Sequence, residues 1–571
     1  MRRFAALYQS LDASTATTAK VAAMVDYFRD APAEDAAWAV YFLAGGKPRQ
    51  VVPTALLRQT ACAVAGIDDW LFEECYQAVG DLAETISHVL PPPATRDDAG
   101  LAHWVEHRLL PLKGLSPVEQ GLRLREALDM LDAQERFLLV KLIGGGFRVG
   151  VSKLLVQRAL AEWAGLDPKA VAQRMMGYTD ARHQPSPQRL RALVAEDGEL
   201  TLEAGHPYPF FLAHALPEAP TATNLGPMSD WLVEWKYDGI RAQVVRRAGQ
   251  VWIWSRGEEL VTERFPEVVA QVQALPEGTV LDGEVLVWPA GQPSPSSFHL
   301  LQQRIARKQL SKKVLVQAPV RFLAYDLLEH DGVDLRGQPQ HLRRERLQAL
   351  LGALPGQPID LSPEVQAADW DACAALRETA RERGVEGFML KHCMARYGSG
   401  RTKADGTWWK WKVDPLTVDA VLIYAQAGHG RRASVYTDYT FAVWNRPPRD
   451  AAEALAVVQA ISRREPARPE ALQLVAFAKA YSGLSDAEFA RVDKVIRATT
   501  LEKFGPVRSV APSLVFELAF EGLNESPRHK SGIAVRFPRM LRIRDDKPLH
   551  EADTLQTLRG LMTMQGEMQD C

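Results

Sequence analysis

Glu234-Trp235-Lys236-Tyr237-Asp238-Gly239-Ile240-Arg241 sets a lysine between apolar neighbours, with acids on both sides, then a glycine and an arginine. A free lysine amine has a pKa of about 10.4 and is a poor nucleophile at neutral pH. Partial desolvation or a nearby cation lowers that pKa and frees the amine for attack. Glu234 and Asp238 can orient the amine or a metal, Gly239 lets a nucleotide approach the backbone, and Arg241 offers a phosphate a forked contact. The plainer reading is a surface strand of mixed charge that opens a hairpin. A Lys-x-Asp-Gly match arises by chance in roughly one chain of this length in ten, so the remaining sequence has to decide.

With 571 residues the chain is too long for one core, and roughly two to four domains are expected. Hydrophobic residues at 47% and charged residues at 24% fit a soluble globular protein. The net charge of -2 excludes a polycation, so any nucleic-acid surface must be a local basic patch. Cys62, Cys75, Cys373, Cys393 and Cys571 are scattered and form no Cys-x-x-Cys pair, which points away from zinc and disulfides and toward a reducing cytoplasm. Met1-Arg2-Arg3-Phe4 is basic but is not followed by the apolar run of a signal peptide, and no stretch approaches about 18 consecutive apolar residues.

The first two hundred residues read as helix, with apolar spacing through Val21, Met24, Val25 and Phe28 and through Leu122, Leu124, Leu128 and Leu131. Ser116-Pro117-Val118-Glu119 is a capping box with proline at the first helical position. The apolar run Arg136 to Ile143 ends in Gly144-Gly145-Gly146-Phe147-Arg148. Glycine there serves as a left-handed stop, or it leaves backbone amides open to phosphates together with Arg148 and Lys153; both readings stand. His206 and the prolines from Pro207 to Pro227 mark a boundary.

From Leu232 the chain turns strand-rich. Ala242 to Arg247 and Val251 to Trp254 form a hairpin about Ala248-Gly249-Gln250, with Lys236 at its entrance and Ser255-Arg256-Gly257 at its exit. Arg256 is placed to touch a ribose or phosphate. Val280 to Trp288 is an apolar strand interrupted by Asp282-Gly283-Glu284, and a buried carboxylate is costly unless paired or holding a metal. The segment from Leu300 to Lys313 reads as a basic helix, either solvated or touching phosphate. Val320 to Leu328 is a central strand whose Tyr325 is core or a plate for a purine. Glu386-Gly387 repeats the acid–glycine oddity at the head of an apolar strand, and Thr407 to Lys412 alternates so that Lys410 and Lys412 share a face. Glu284 and Glu386 after a lysine strand are what a magnesium-assisted nucleotidyl site requires. Beyond Pro415, strands at Val418–Tyr424 and Leu514–Phe520 flank a helical insertion at about 446–500, in which Ser485 to Glu488 caps a helix. Strands plus a helix in this length suit an OB-fold. Arg536-Phe537-Pro538-Arg539 opens a basic stretch ending at Lys547, an exposed edge or a clamp for leaving pyrophosphate.

Taken in order, Lys236-Tyr237-Asp238-Gly239, Ser255-Arg256, Asp282-Gly283-Glu284, Tyr325-Asp326, Glu386-Gly387, Lys410-Trp411-Lys412 and Arg536-Phe537-Pro538-Arg539 resemble the motifs of the ATP-dependent DNA ligases of the covalent nucleotidyltransferase superfamily, in the bacterial type with an N-terminal DNA-binding domain. The resemblance implies a multidomain α+β protein: a helical DNA-binding domain at 1–204, an antiparallel-sheet nucleotidyltransferase (ATP-grasp-like ligase) domain at 205–414, and an OB-fold β-barrel at 415–571. It implies sealing of 5′-phosphate/3′-hydroxyl nicks in duplex DNA through a lysyl–AMP intermediate and a DNA-adenylate, in repair, replication or recombination. Lys236 would be the nucleophile. Glu234, Asp238, Arg241, Arg256, Glu284, Tyr325, Arg401, Lys410, Lys412, Arg536 and Arg539 would bind the ATP cofactor; Glu234 would read the adenine, Tyr325 stack on it, and Arg536 and Arg539 orient pyrophosphate in the first step. Glu284 and Glu386 would hold Mg2+ or Mn2+, and Arg148 and Lys153 would contact DNA. The expected partner is nicked double-stranded DNA, with no membrane and a monomeric, cytoplasmic, nucleoid-associated enzyme. Tyr325 stands where the family often has phenylalanine, and the glycine-rich stretch carrying Arg401 is longer than in many relatives. An RNA-end ligase or a capping guanylyltransferase shares the lysine chemistry; the helical N-terminal region and the arginine-rich closing motif favour DNA ligase.

Overall fold

The structure is a computed structural model that describes all residues except 48–50, 145, 146, 148, 181–183, 196–203, 297, 306, 308, 309, 355–358, 405, 429–434, 469, 528 and 571. Regular structure up to Leu193 is helical among the described residues, and the first strand is His214–Ala215. The helix Thr17–Asp30 buries Val21, Met24, Val25 and Phe28 on one stripe, as their spacing requires. Pro117–Asp129 starts at the expected capping box, where Ser116 Oγ accepts from Glu119 N at 3.3 Å and Glu119 Oε2 accepts from Ser116 N at 3.2 Å. Leu124, Leu128 and Leu131 enter the core, whereas Leu122 faces solvent at 59% exposure. The helix Ala133–Gly144 stops at the first of the three glycines. Gly145, Gly146 and Arg148 lie outside the described residues, so only the stop is tested there. One apolar core, including Phe4, Met24, Phe42, Trp104, Leu128 and Leu139, holds these helices together.

Two sheets follow. One runs His214–Ala215, Trp408–Lys412, Gly387–His392, Trp231–Trp235, antiparallel except for its first pair. The other runs Gln250–Ser255, Ile240–Arg247, Thr279–Val287, Val320–His330, Val333–Asp334, with Asp360–Leu361 added in parallel to Val320–His330. The hairpin forms where expected, and Ala248 and Gly249 both have positive φ (48° and 72°), the turn geometry that matches strand twist. Lys236 does not enter that hairpin along one strand, however. Trp231–Trp235 and Ile240–Arg247 belong to different sheets, and the chain crosses between them in four residues. At the crossing, a Cβ on Gly239 would strike the Val285 carbonyl oxygen, so close backbone packing is reason enough for glycine there.

Thr279–Val287 is continuous, with a register shift against Val320–His330 at Asp282/Gly283. The shift is a bulge, and Asp282 within it is fully buried. The basic stretch 300–313 also differs from expectation. It is divided between the helices Phe298–Ile305 and Lys312–Gln317, and Arg304 turns inward to a forked pair with Glu267 (2.8 and 2.6 Å) and the carbonyl of Ala318 (2.7 Å). Arg304 is thereby neutralised within the core, whereas Arg307, Lys312 and Lys313 are exposed.

After Pro415, Leu416–Ala427 is a long strand bordered by Tyr436–Trp444, Val507–Val510 and Val515–Phe520. Arg539–Ile543 joins Val515–Phe520, and Gly522–Glu525 pairs with Ile533–Arg536. The insertion at 446–500 is not wholly helical: the strand Leu474–Ala480 lies between Ala451–Ser462 and Asp486–Thr499 and completes the sheet edge. Its alanines and lysine favour helix locally, and pairing with Tyr436–Trp444 overrides that preference. Among the described residues no helix is long and apolar enough to cross a membrane.

Candidate active site

The crossing between the sheets opens into a cavity of about 1050 Å³ whose wall is built from all three parts of the chain. Lys153 and its neighbours come from the helical part, Arg536 and Phe537 from beyond Pro415, and the remaining lining from the two sheets and the segments that connect them. Lys236, Glu234, Asp238, Arg241, Arg256, Glu284, Tyr325, Glu386, Arg401, Lys410 and Lys412 all line it, although they are scattered over some 180 positions of the sequence. One expected residue among those described does not. Arg539 sits outside the lining, 3.5 Å from Glu521, and Arg148 lies outside the described residues.

Lys236 is held at both ends of its peptide unit. Its N–H donates to Gly387 O at 2.8 Å and its carbonyl accepts from Glu386 N at 2.8 Å. Gly387 has φ 120°, and a Cβ there would collide with the Trp411 carbonyl, so glycine lets the strands approach closely enough for this exchange. The result brings Glu386 to Lys236 as an ion pair, with Lys412 Nζ 3.3 Å from the other carboxylate oxygen. Burial pushes the Glu386 carboxyl upward, but the two lysines outweigh it and hold it below the usual range. Lys412 also pairs with Glu521 at 3.0 Å, and despite burial these two carboxylates raise its pKa.

Lys410 shares the cleft face of Trp408–Lys412, as alternation predicted, yet its ammonium has no hydrogen bond or ion pair among the described residues. Burial lowers its pKa, and Arg401, Lys412 and Lys236 add to that. The guanidinium groups of Arg256 and Arg401 are likewise without a protein partner among the described residues. This end of the cavity therefore carries more cations than it compensates. Burial pushes Glu284 up to about 8, against the pull of Lys236 and Arg241.

Other expected contacts are already committed within the protein. Arg241 forks onto Asp282 at 3.2 and 2.7 Å and donates to Phe211 O at 2.7 Å, while Tyr397 Oη donates to Asp282 at 2.7 Å. Glu234 is buried between Lys391 at 2.5 Å and Arg344 at 3.1 Å. Lys391 Nζ lies 4.3 Å from the Tyr325 ring centre, so one face of that ring meets a cation. Lys153 pairs with Glu258 and donates to Met175 O at 3.2 Å, so its ammonium points at the cavity rim. Asp238 receives both Nη groups of Arg536, one at 2.8 Å.

Lys391, Arg344, Glu521 and Phe298 were not singled out from sequence. Lys391 carries a signal of the kind used for the acids, a charge between apolar strand neighbours. Arg344 is on the helix Gln340–Ala353, 110 residues from Glu234, with nothing local to mark it.

For a metal, no cluster of three or more His, Cys, Asp or Glu exists among the described residues. Glu284 and Glu386 are among the carboxylates that line the cavity, and Mg2+ is commonly held by one or two carboxylates together with substrate phosphates. Glu284, with no side-chain partner among the described residues, fits that donor set better than Glu386, which two lysines already engage.

The family model described as "ATP dependent DNA ligase domain" matches residues 210–412, and the one described as "DNA ligase N terminus" matches residues 1–161. The chain is 30% identical to a probable DNA ligase of Koribacter versatilis over 586 residues, covering 97% of this chain and 95% of the relative. It is 31% identical to a DNA ligase of Haloferax volcanii over 467 residues, covering 76% and 74%. Among solved structures it resembles Pmar-Lig_PreS3 with a TM-score of 0.57 at 14% identity, covering 95% of this chain and 99% of that one; at this identity the likeness speaks for the fold alone.

Proposed function

The chain belongs to the ATP-dependent DNA ligases, and from that premise we propose that it seals 5′-phosphate/3′-hydroxyl nicks in duplex DNA with Lys236 as the nucleophile. The observation that carries this is the cation cluster around the Lys236–Glu386 pair, where Lys410 lies beside Lys412 without an anion of its own. A triphosphate supplies the missing charge.

Lys236 Nζ, once deprotonated, attacks the α-phosphorus of ATP. A P–N bond forms, the bond to the bridging oxygen of pyrophosphate breaks, and the leaving pyrophosphate carries the electron pair away. Glu386 holds the amine in line, while Lys410 and Lys412 neutralise charge that grows on the α-phosphate oxygens. Arg256 and Arg401 are free to take ribose or phosphate oxygens. Tyr325 offers its ring to the adenine, and Glu234, fixed by Lys391 and Arg344, presents its carboxylate to the base edge. Arg241 acts through Asp282, fixing the strand that carries Glu284. Glu284 would share Mg2+ or Mn2+ with phosphate oxygens, and such an ion supplies Lewis-acid neutralisation of charge. The 5′-phosphate of the nick then attacks the lysyl–AMP phosphorus and releases Lys236. Finally the 3′-hydroxyl attacks that 5′-phosphate and expels AMP.

We propose units at 1–204, 205–414 and 415–571, a division supported by apolar clusters that each stay within one of these ranges, with the last unit an OB-fold barrel and the whole a monomer that surrounds the nicked duplex. Lys153 at the cavity rim, with Arg148, would meet DNA phosphates, and a DNA substrate places the enzyme in the cytoplasm with the nucleoid. The test is sealing of a nicked duplex with ATP, GTP or NAD supplied separately. ATP alone should support closure; closure with GTP alone, or with NAD alone, would overturn the reading.

A further inference from the structure

Arg536 and Phe537 bring the part beyond Pro415 to the nucleotide cavity, and the Arg536 guanidinium is held on more than one side. Both Nη groups go to Asp238, its carbon lies 4.8 Å from the ring centre of Phe298, and the ring of Phe537 stands 5.3 Å away. Phe298 opens the helix Phe298–Ile305 and lines the cavity. Phe537 reaches Arg536 through a left-handed backbone (φ 51°) and keeps its ring 64% exposed. A non-glycine residue in that conformation is strained, and such strain persists where the surroundings demand it. The carboxylate fixes the edge of the guanidinium, and an aromatic face fixes its plane. The Lys412–Glu521 pair spans the same junction but does not include the Arg536 guanidinium, so it does not set that orientation.

We propose that Phe298 is a positioning residue for the first chemical step: its ring is the platform on which Arg536 docks when the C-terminal part closes over bound ATP. The inference rests on the ligase reading above. Its step specificity follows from the leaving groups. Pyrophosphate departs only when Lys236 is charged with AMP, so a cation aimed at the cavity mouth serves that step. Sealing of a nick that already carries AMP releases no pyrophosphate.

The experiment uses the full chain as wild type, Phe298→Leu and Phe298→Trp, with thermal unfolding of each as a folding control. Two rates are measured: single-turnover transfer of labelled AMP from ATP to the protein, and sealing of a pre-adenylated nicked duplex without ATP. Leucine keeps the apolar bulk and removes the π face, so Phe298→Leu should slow the first rate by roughly two- to thirty-fold, the span of a partly desolvated cation–π contact. It should leave the second rate within about twofold, and Phe298→Trp should restore the first. In an Arg536→Lys background, Phe298→Leu should add little, because the two act as one unit. Equal slowing of both rates, no slowing of the first, a tryptophan variant as slow as leucine, or full additivity with Arg536→Lys would each overturn the proposal. If the wild type seals the pre-adenylated nick but takes no label from ATP, the nucleotide-transfer reading itself fails. If it takes label and only the Phe298 effects are missing, the platform alone fails.

Discussion

The helical part and the paired sheets bury charge for different purposes. In the helical part, buried charges mostly serve the backbone. Lys20 Nζ donates to Val149 O at 2.6 Å and Gly150 O at 3.1 Å, Arg136 donates to Leu128 O at 2.7 Å and Pro91 O at 2.6 Å, and Asp35 accepts from Ala102 N at 2.8 Å. These groups satisfy carbonyls and amides where segments end. In the sheets, buried charges serve one another. Arg343 forks onto Asp326 at 2.8 and 2.9 Å with both side chains fully buried, Arg241 forks onto Asp282, and Glu234 takes Lys391 and Arg344. A buried pair contributes little net stability but fixes orientation, and losing one partner strands the other charge. The first arrangement closes a scaffold. The second holds cavity walls rigid and lets their charges act on a bound anion.

The sharpest way to break that contrast is Lys236→Ala. If the sheet charges exist to organise chemistry, this variant should fold with an unfolding midpoint near wild type and form no detectable nucleotide adduct. Next, Asp326→Ala leaves Arg343 buried without its carboxylate and should cost about 3–5 kcal/mol, read as a fall in the urea midpoint. Arg136→Met in the helical part leaves two carbonyls without their donor and should cost less, about 1–3 kcal/mol. Equal costs would erase the distinction between the two regions. Ser116→Ala removes one half of a capping box on the helical surface and should cost about 1 kcal/mol.

A pH experiment sharpens the same point without removing a charge pair. Glu284 is raised from its ordinary value to about 8 in the ATP-free protein, so the folded state holds a proton that the unfolded chain releases at lower pH. Its contribution to stability is complete below about 4.5 and is lost as pH rises toward about 8. Wild type should therefore lose stability across that window relative to Glu284→Gln, measured by denaturant titration at several pH values. A parallel pair of curves would show that Glu284 is not desolvated in the cleft.

Much of the site could be read from sequence because strand alternation is local. Lys410 and Lys412 had to share a face, and an acid beside glycine in an apolar strand had to be buried with a partner or aimed at a site. The helical stop at Gly144 and the capping boxes at Ser116 and Ser485 are equally local. Pairing between distant segments is another matter. That Trp231–Trp235 and Ile240–Arg247 would part into different sheets depends on Gly387–His392 and Thr279–Val287, which are far along the chain. Arg241 presents the same sequence whether its fork meets a phosphate or Asp282, and Arg304 looks like any exposed base until Glu267 packs beside it. Leu474–Ala480 is a strand because it finds an edge to join, despite a composition that favours helix.

The central claim is that these paired charges surround a lysine that becomes covalently charged with AMP. The direct measurement is to incubate the wild-type chain with ATP labelled at the α-phosphate, isolate the protein, locate the label by peptide mapping, and then add nicked duplex in the absence of free ATP. The account predicts label on the peptide carrying Lys236 and its release as AMP as the nick closes. Label that persists in Lys236→Ala, or that stays on the protein while nicks close, would contradict it.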